Sequence, residues 1–193
     1  MMSIERRRHT KETDIHLVLE LDGNGHTNID TGIGFFDHML TALAVHAGWD
    51  LTLYCNGDLE VCGHHTVEDC GIVLGDALHQ ALGTKTGLVR YGHAYIPMDE
   101  ALVRCVVDVS GRPYLAFDAT FTAPAVGQLD TQLVEEFFRA FAMHAGITLH
   151  IAVLSGKNDH HCIEAMFKSV AHAMRKALMK RDGVLSTKGV FHA

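Results

Sequence analysis

Apolar positions alternate with polar ones through Ile15, Leu17, Leu19 and Leu21, the period-two pattern of a strand with one buried face. The period then lengthens. Phe35, Phe36, Met39, Leu40, Leu43, Ala44 and Ala47 recur at three- and four-residue spacing, which predicts an amphipathic helix. Alternation returns at Leu51, Leu53 and Cys55, and a second helical face follows at Val67, Cys70, Leu74, Ala77, Leu78 and Ala81. The same order runs again downstream. Ala101, Val103, Cys105, Val107 and Val109 predict a strand, and Leu133, Val134, Phe137, Phe138, Phe141 and Ala142 a helix. Ile147, Leu149, Ile151 and Val153 predict another strand, and Ile163, Phe167, Val170, Met174 and Leu178 a final helix.

Two landmarks keep step with this pattern. His-Ala-Gly occurs at His46 and His144, 98 residues apart, and His-His-x-x-Glu at His64 and His160, 96 apart. Matching landmarks at nearly one offset imply an internal duplication, with repeats near 1–90 and 91–193. No Pro/Gly/Ser-rich linker separates them, so residues 1–193 are expected to pack as one domain. Hairpin-forming strands with two helices per half define an α+β sandwich, a mixed sheet with helices on one face.

Composition narrows the function. The 193 residues carry 16 Lys+Arg against 23 Asp+Glu, a formal charge of −7. That balance argues against a nucleic-acid partner, since phosphate backbones reward clustered cations. It leaves room for a small anion held by a few placed ones. Five cysteines without a C-x-x-C pair suggest reduced thiols and a cytoplasmic location. MMSIERRRHT is followed by no apolar stretch, so no secretory segment is expected, and no apolar run is long enough to suggest a membrane span.

The abnormal count is 15 histidines. Both His-His-x-x-Glu copies, His64-His65-Glu68 and His160-His161-Glu164, open a predicted helix, where each Glu lies one turn beyond on a shared face. Imidazole with carboxylate suits Mn, Fe or Zn, and the lack of thiolate argues against a structural zinc site. Neighbouring histidines on a helix project about 100° apart, so one pair seldom reaches one ion. Two metals, each drawing ligands from both repeats, are expected. Further candidates are His38 and, at the matching place in the second repeat, Glu136. His46, His144 and His150 are weaker candidates for which a satisfied core or surface histidine is the favoured reading, and Arg90, Arg112 and Lys188 read as isolated cations near turns or the tail. A binuclear hydrolase, or a metal-held assembly without catalysis, stays open on these residues alone.

Longer stretches carry a resemblance. TKET (10–13), LDGNG (21–25), TGIGFFDHML (31–40), HHTVED (64–69), PMDEAL (97–102), SGRPYL (110–115), DTQLVEEFF (130–138), KNDHHCIEA (157–165) and STKG (186–189) together resemble the imidazoleglycerol-phosphate dehydratase family of histidine biosynthesis, in its monofunctional form. The resemblance implies a duplicated fold like that of ribosomal protein S5 domain 2. It implies two Mn²⁺ per active site, and a homo-oligomer of 24 subunits with active sites at subunit contacts. It implies a hydro-lyase acting on a small phosphate substrate, through a metal-held imidazolate and a diazafulvene-type intermediate. Its metal ligands carry over to His38, His64, His65, Glu68, His160, His161 and Glu164. The family pattern places a histidine where this chain has Glu136. It also commonly has two acids, suited to supporting the ligand histidines, where this chain has Cys62-Gly63. Glu12 matches the contact near the reacting diol, with Glu68 and Glu164 as alternative bases. Arg90, Arg112, Ser186 and Lys188 match the phosphate-binding positions.

Overall fold

A computed structural model of the protein describes residues 3–183. In chain order the first half comprises β1 (Ile4–His9), β2 (Thr13–Glu20), β3 (Thr27–Asp30), α1 (Gly34–Ala47), β4 (Asp50–Gly57) and α2 (His64–Leu82). The second half comprises β5 (Tyr91–Met98), β6 (Ala101–Asp108), β7 (Tyr114–Asp118), the two-residue strands β8 (Ala125–Val126) and β9 (Leu129–Asp130), α3 (Gln132–Ala145), β10 (Thr148–Ser155) and α4 (Asp159–Ala177). Every helix and strand expected from periodicity is present. The edge strands β1, β3, β5 and β7 are present too but were not expected from the sequence, because only their neighbours alternate cleanly between apolar and polar.

Each half builds its own mixed sheet, and the two have the same plan. The orders are β1-β2-β4-β3 and β5-β6-β10-β7. In each, three strands run antiparallel and the last pairs parallel with its neighbour. The inner faces are apolar: Ile15, Leu17, Leu19, Leu51 and Leu53 on one sheet, Val103, Cys105, Val107, Leu149 and Ile151 on the other, all buried. Helices α1 and α2 cover the first sheet, and α3 and α4 the second. The helices then pack on each other across the halves, α2 against α3 and α1 against α4. The result is one continuous core between two sheets.

The repeated His-Ala-Gly has a structural cause. Gly48 and Gly146 end α1 and α3 in the left-handed conformation, with φ of 76° and 64°. Glycine takes that conformation without steric cost and lets the cap N–H reach back to the last turn.

A second set of glycines fixes the α2–α3 crossing. Gly71 and Gly75 lie on the same face of α2 as His64 and Glu68, by their three- and four-residue spacing. A methyl group added at Gly75 would sit 2.8 Å from the Phe141 carbonyl oxygen and 2.7 Å from His144 Cβ; at Gly71 it would meet the Phe137 carbonyl oxygen at 2.8 Å. The helices therefore approach backbone to backbone at their middles, and the opening of α2 lies beside the opening of α3, where a methyl group added at Gly63 would sit 3.4 Å from Leu133.

The α1–α4 crossing carries a different device. His46 Nδ1 lies 3.1 Å from His172 Nε2. Burial lowers the His46 pKa, His172 and Lys168 reinforce that, and Glu164 opposes it.

Two outcomes are expected. Gly75→Val should lower the denaturant midpoint, by the equivalent of about 1–3 kcal/mol for overpacking; an unchanged midpoint would show that the crossing has slack. A histidine with a depressed pKa resists protonation in the folded state, so its contribution is intact above the unfolded value of 6.5 and is lost as pH falls through it. Melts from pH 7 to 5 should therefore show a smaller loss of stability in His46→Gln than in the wild type, and parallel curves would discard that source.

Candidate metal centre

The helix openings place the two His-His-x-x-Glu motifs. His64 is the first residue of α2, and His160 the second of α4. Asn158 caps α4 by accepting from the His160 and His161 backbone N–H groups, at 3.0 and 3.4 Å. As the helical geometry requires, adjacent histidines part. The rings of His64 and His65 stand 86° to each other with centroids 6.0 Å apart, and those of His160 and His161 do the same at 6.1 Å.

One histidine of each pair joins a triad. His38, His160 and Glu164 converge so that one donor atom of each lies within 4.8 Å of the others, and so do His64, Glu68 and Glu136. Each triad takes one residue from the first helix of one half and two from the second helix of the other. His38 is on α1 with its partners on α4; Glu136 is on α3 with its partners on α2. In the first triad, Glu164 Oε2 is 3.3 Å from His38 Nε2 and 3.0 Å from His160 Nε2. Lys168 Nζ sits 2.7 Å from Glu164 Oε1. Burial alone would raise the Glu164 pKa, but the bonds from Lys168, His160 and His38 outweigh it and hold the carboxyl at about 2. In the second triad, His64 Nε2 is 3.5 Å from Glu68, and Arg139 pairs with Glu136. Clustered imidazole nitrogens and carboxylate oxygens are the donor set of a hard-to-borderline divalent cation, and each triad offers three such donors.

The remaining histidines, His65 and His161, turn to acids. Asp58 receives His65 Nδ1 at 3.0 Å and raises its pKa. Glu100 Oε2 receives His161 Nδ1 at 2.8 Å, while its Oε1 accepts the N–H groups of Lys157 and Asn158 at 3.0 and 2.8 Å. The His161 bond and those N–H donors bring Glu100 down to about 2, and Glu100 in turn raises His161. With Nδ1 engaged, each ring presents Nε2 for another ligand, the arrangement seen around metal-bound histidines. The support that Cys62-Gly63 does not provide thus comes from Asp58 for His65. Neither Asp58 nor Glu100 stands out in the sequence, because each lies in a turn away from its histidine. The signals for Glu100 were its place in the PMDEAL stretch and its position, since it precedes β6 as Glu12 precedes β2.

Glu12 lies in the β1–β2 turn with a carboxylate oxygen 3.7 Å from His65 Nε2. A buried latch holds this turn to α2. Asp69 accepts a 2.5 Å hydrogen bond from Thr13 Oγ1, the residue after Glu12, and pairs with Arg8 at 3.0 Å. The second half has Ala165 and Ala101 at the corresponding places.

The candidate phosphate-binding cations lie elsewhere. Arg90 Nε meets Asp108 at 2.7 Å, and Arg112 reaches the same carboxylate at 3.4 Å. That cluster is where Tyr91 pairs with Asp108, the opposite end of the β5–β6 hairpin from Met98 and Ala101. Seven strand steps of about 3.3 Å put it roughly 23 Å from the Glu100 turn beside His161. The hairpin thus holds these arginines away from the His160–His161 opening of α4. Ser186 and Lys188 lie outside the described residues. Among the ordinary histidines, His46 pairs with His172 and His144 with Asp76, at 2.9 Å.

Fold and site define an α+β protein with two symmetry-related histidine–carboxylate centres. The imidazoleglycerol-phosphate dehydratase family model matches residues 31–174. The imidazoleglycerol-phosphate dehydratase of Gluconobacter oxydans is 56% identical over 187 residues, covering 95% of this chain and 94% of that relative. That of Acetivibrio thermocellus is 56% identical over 189 residues, covering 96% and 97%. The crystal structure of imidazoleglycerol-phosphate dehydratase from Staphylococcus aureus superposes with a TM-score of 0.85 at 43% identity, covering 93% of this chain and 100% of that one. The enzyme from Pyrococcus furiosus gives 0.84 at 40%, covering 96% and 99%. The chain belongs to the imidazoleglycerol-phosphate dehydratase family.

Asp69→Ala should break the latch, removing the acceptor of Thr13 and the partner of the partly exposed Arg8, at a cost of about 1–2 kcal/mol. Urea denaturation reads this directly, and an unchanged midpoint would mean that solvent replaces the carboxylate freely.

Proposed function

We propose that this chain is a hydro-lyase of histidine biosynthesis that dehydrates D-erythro-imidazoleglycerol phosphate to imidazole-acetol phosphate at metal centres formed where subunits meet. The observation that carries the reading is the pair of triads, His38–His160–Glu164 and His64–Glu68–Glu136, with Glu12 set 3.7 Å from His65, the residue next to His64. Each triad is read as holding one Mn²⁺. His65 and His161, turned outward with Nε2 presented, are read as ligands delivered to centres completed by another copy of the chain. When bound, the two ions supply Lewis acidity and a template that holds the substrate's imidazole ring.

The chain's own groups do the rest. Dehydration removes the hydroxyl from the carbon attached to the ring and a proton from the next carbon, and the enol that results tautomerises to a ketone. Glu12 is exposed and held at its turn by the Thr13–Asp69 latch. That places a carboxylate to exchange protons with the diol. Glu68 and Glu164 are the alternative bases, each available only if it leaves its triad. Arg90 and Arg112 offer guanidinium forks that match a phosphate. Because they lie roughly 23 Å along the hairpin from His161, they serve a centre on a neighbouring subunit. This separation supports a homo-oligomer, and the family resemblance makes it 24 subunits. Ser186 and Lys188 belong to the same phosphate-binding reading. Among the described residues no helix is long and apolar enough to cross a membrane, and the reading places the enzyme in the cytoplasm.

The test is turnover of imidazoleglycerol phosphate by chelator-stripped protein before and after Mn²⁺ is restored. Activity should appear only with the metal. Glu12→Gln should lose about a hundredfold or more in kcat, the scale of a general base, while its metal content stays that of the wild type. Full activity in the stripped protein would overturn the metal reading, and wild-type turnover in Glu12→Gln would remove Glu12 from the chemistry.

A further inference from the structure

The two triads occupy equivalent places in the two halves, yet their donors differ. His38–His160–Glu164 offers two imidazoles and one carboxylate, while His64–Glu68–Glu136 offers one imidazole and two carboxylates. The difference arises at a single symmetry-related position, where α1 carries His38 and α3 carries Glu136. Each triad has one cation against it, Lys168 on Glu164 and Arg139 on Glu136. With those cations counted, the second triad keeps one more negative charge than the first. An additional imidazole from His65 or His161 at each centre would leave this difference in place.

Imidazole favours borderline ions such as Zn²⁺, whereas carboxylate oxygen favours hard ions such as Mn²⁺ and Mg²⁺. Resting on the paired-metal reading above, we propose that the two centres are chemically unequal: the His38–His160–Glu164 centre exchanges its ion for Zn²⁺ readily, and the His64–Glu68–Glu136 centre retains Mn²⁺. Glu136 is the residue that sets the inequality. The enzyme would then hold a mixed metal pair when both ions are present.

The experiment titrates Zn²⁺ into the Mn²⁺-loaded protein at fixed free Mn²⁺ and follows released Mn²⁺ by its electron paramagnetic resonance signal. Counting released Mn²⁺ avoids including Zn²⁺ taken by the exposed Cys62 thiol. The wild type should release one Mn²⁺ per chain, pause, and release the second only at about tenfold or more higher Zn²⁺, given the donor preference. Glu136→His should merge the two steps. Glu164→Ala, which dismantles the imidazole-rich triad, should keep one Mn²⁺ that resists Zn²⁺ as the second wild-type ion does. Release of both wild-type ions in one step would overturn the inequality, as would two separate steps surviving in Glu136→His or easy exchange in Glu164→Ala. A protein that binds no Mn²⁺ at all would instead overturn the paired-metal reading itself.

Discussion

The structure turns on the need of two sheets to cover their apolar faces with the same four helices. Each sheet buries a row of Leu, Ile and Val, and each half brings two helices to cover it. Those helices have apolar surface left over, and burying it against the other half stabilises both. At about 25 cal/mol per Å² of apolar surface, a shared helical layer is the strongest force joining the halves. It also dictates where chemistry can occur. Because α2 packs on α3 and α1 on α4, each of the two triads takes residues from both halves. Among the described residues neither half alone assembles such a triad.

That crossing gives the glycines of α2 a functional consequence. Gly71 and Gly75 permit an approach that any side chain would block, and the same helix face carries Glu68 one turn and His64 two turns before Gly71. Packing and metal geometry are therefore coupled along one stripe of one helix. The other two histidines point away from the shared layer toward Asp58 and Glu100. The divergence of adjacent helical residues splits the donors into an inward set, complete within the chain, and an outward set that needs a partner.

Much of this was legible in the sequence. Strict alternation located the central strands, three- and four-residue spacing located all four helices, and the twofold His-His-x-x-Glu marked the two helix openings where the candidate donors gather. The match of His38 with Glu136 followed from counting back from the two His-Ala-Gly ends, and the triads bring both to the expected partners. What stayed hidden has physical reasons. The edge strands β1, β3, β5 and β7 lack clean alternation because much of their surface is solvent-facing or only half-buried. Asp58, Glu100, Asp69 and Arg139 act through contacts set by turns and helix packing, some between residues far apart in sequence. His172 reads as ordinary until α4 sets it against His46. The distance from Arg90 and Arg112 to the triads is likewise a property of the folded hairpin.

If two metal centres are each built from both halves of one chain, metal analysis of purified protein after equilibration with Mn²⁺ and gel filtration should find two ions per chain in the wild type. His38→Ala and Glu68→Ala should each hold one, and the doubly substituted protein none. Two ions retained in either single variant, or both lost together, would contradict that arrangement.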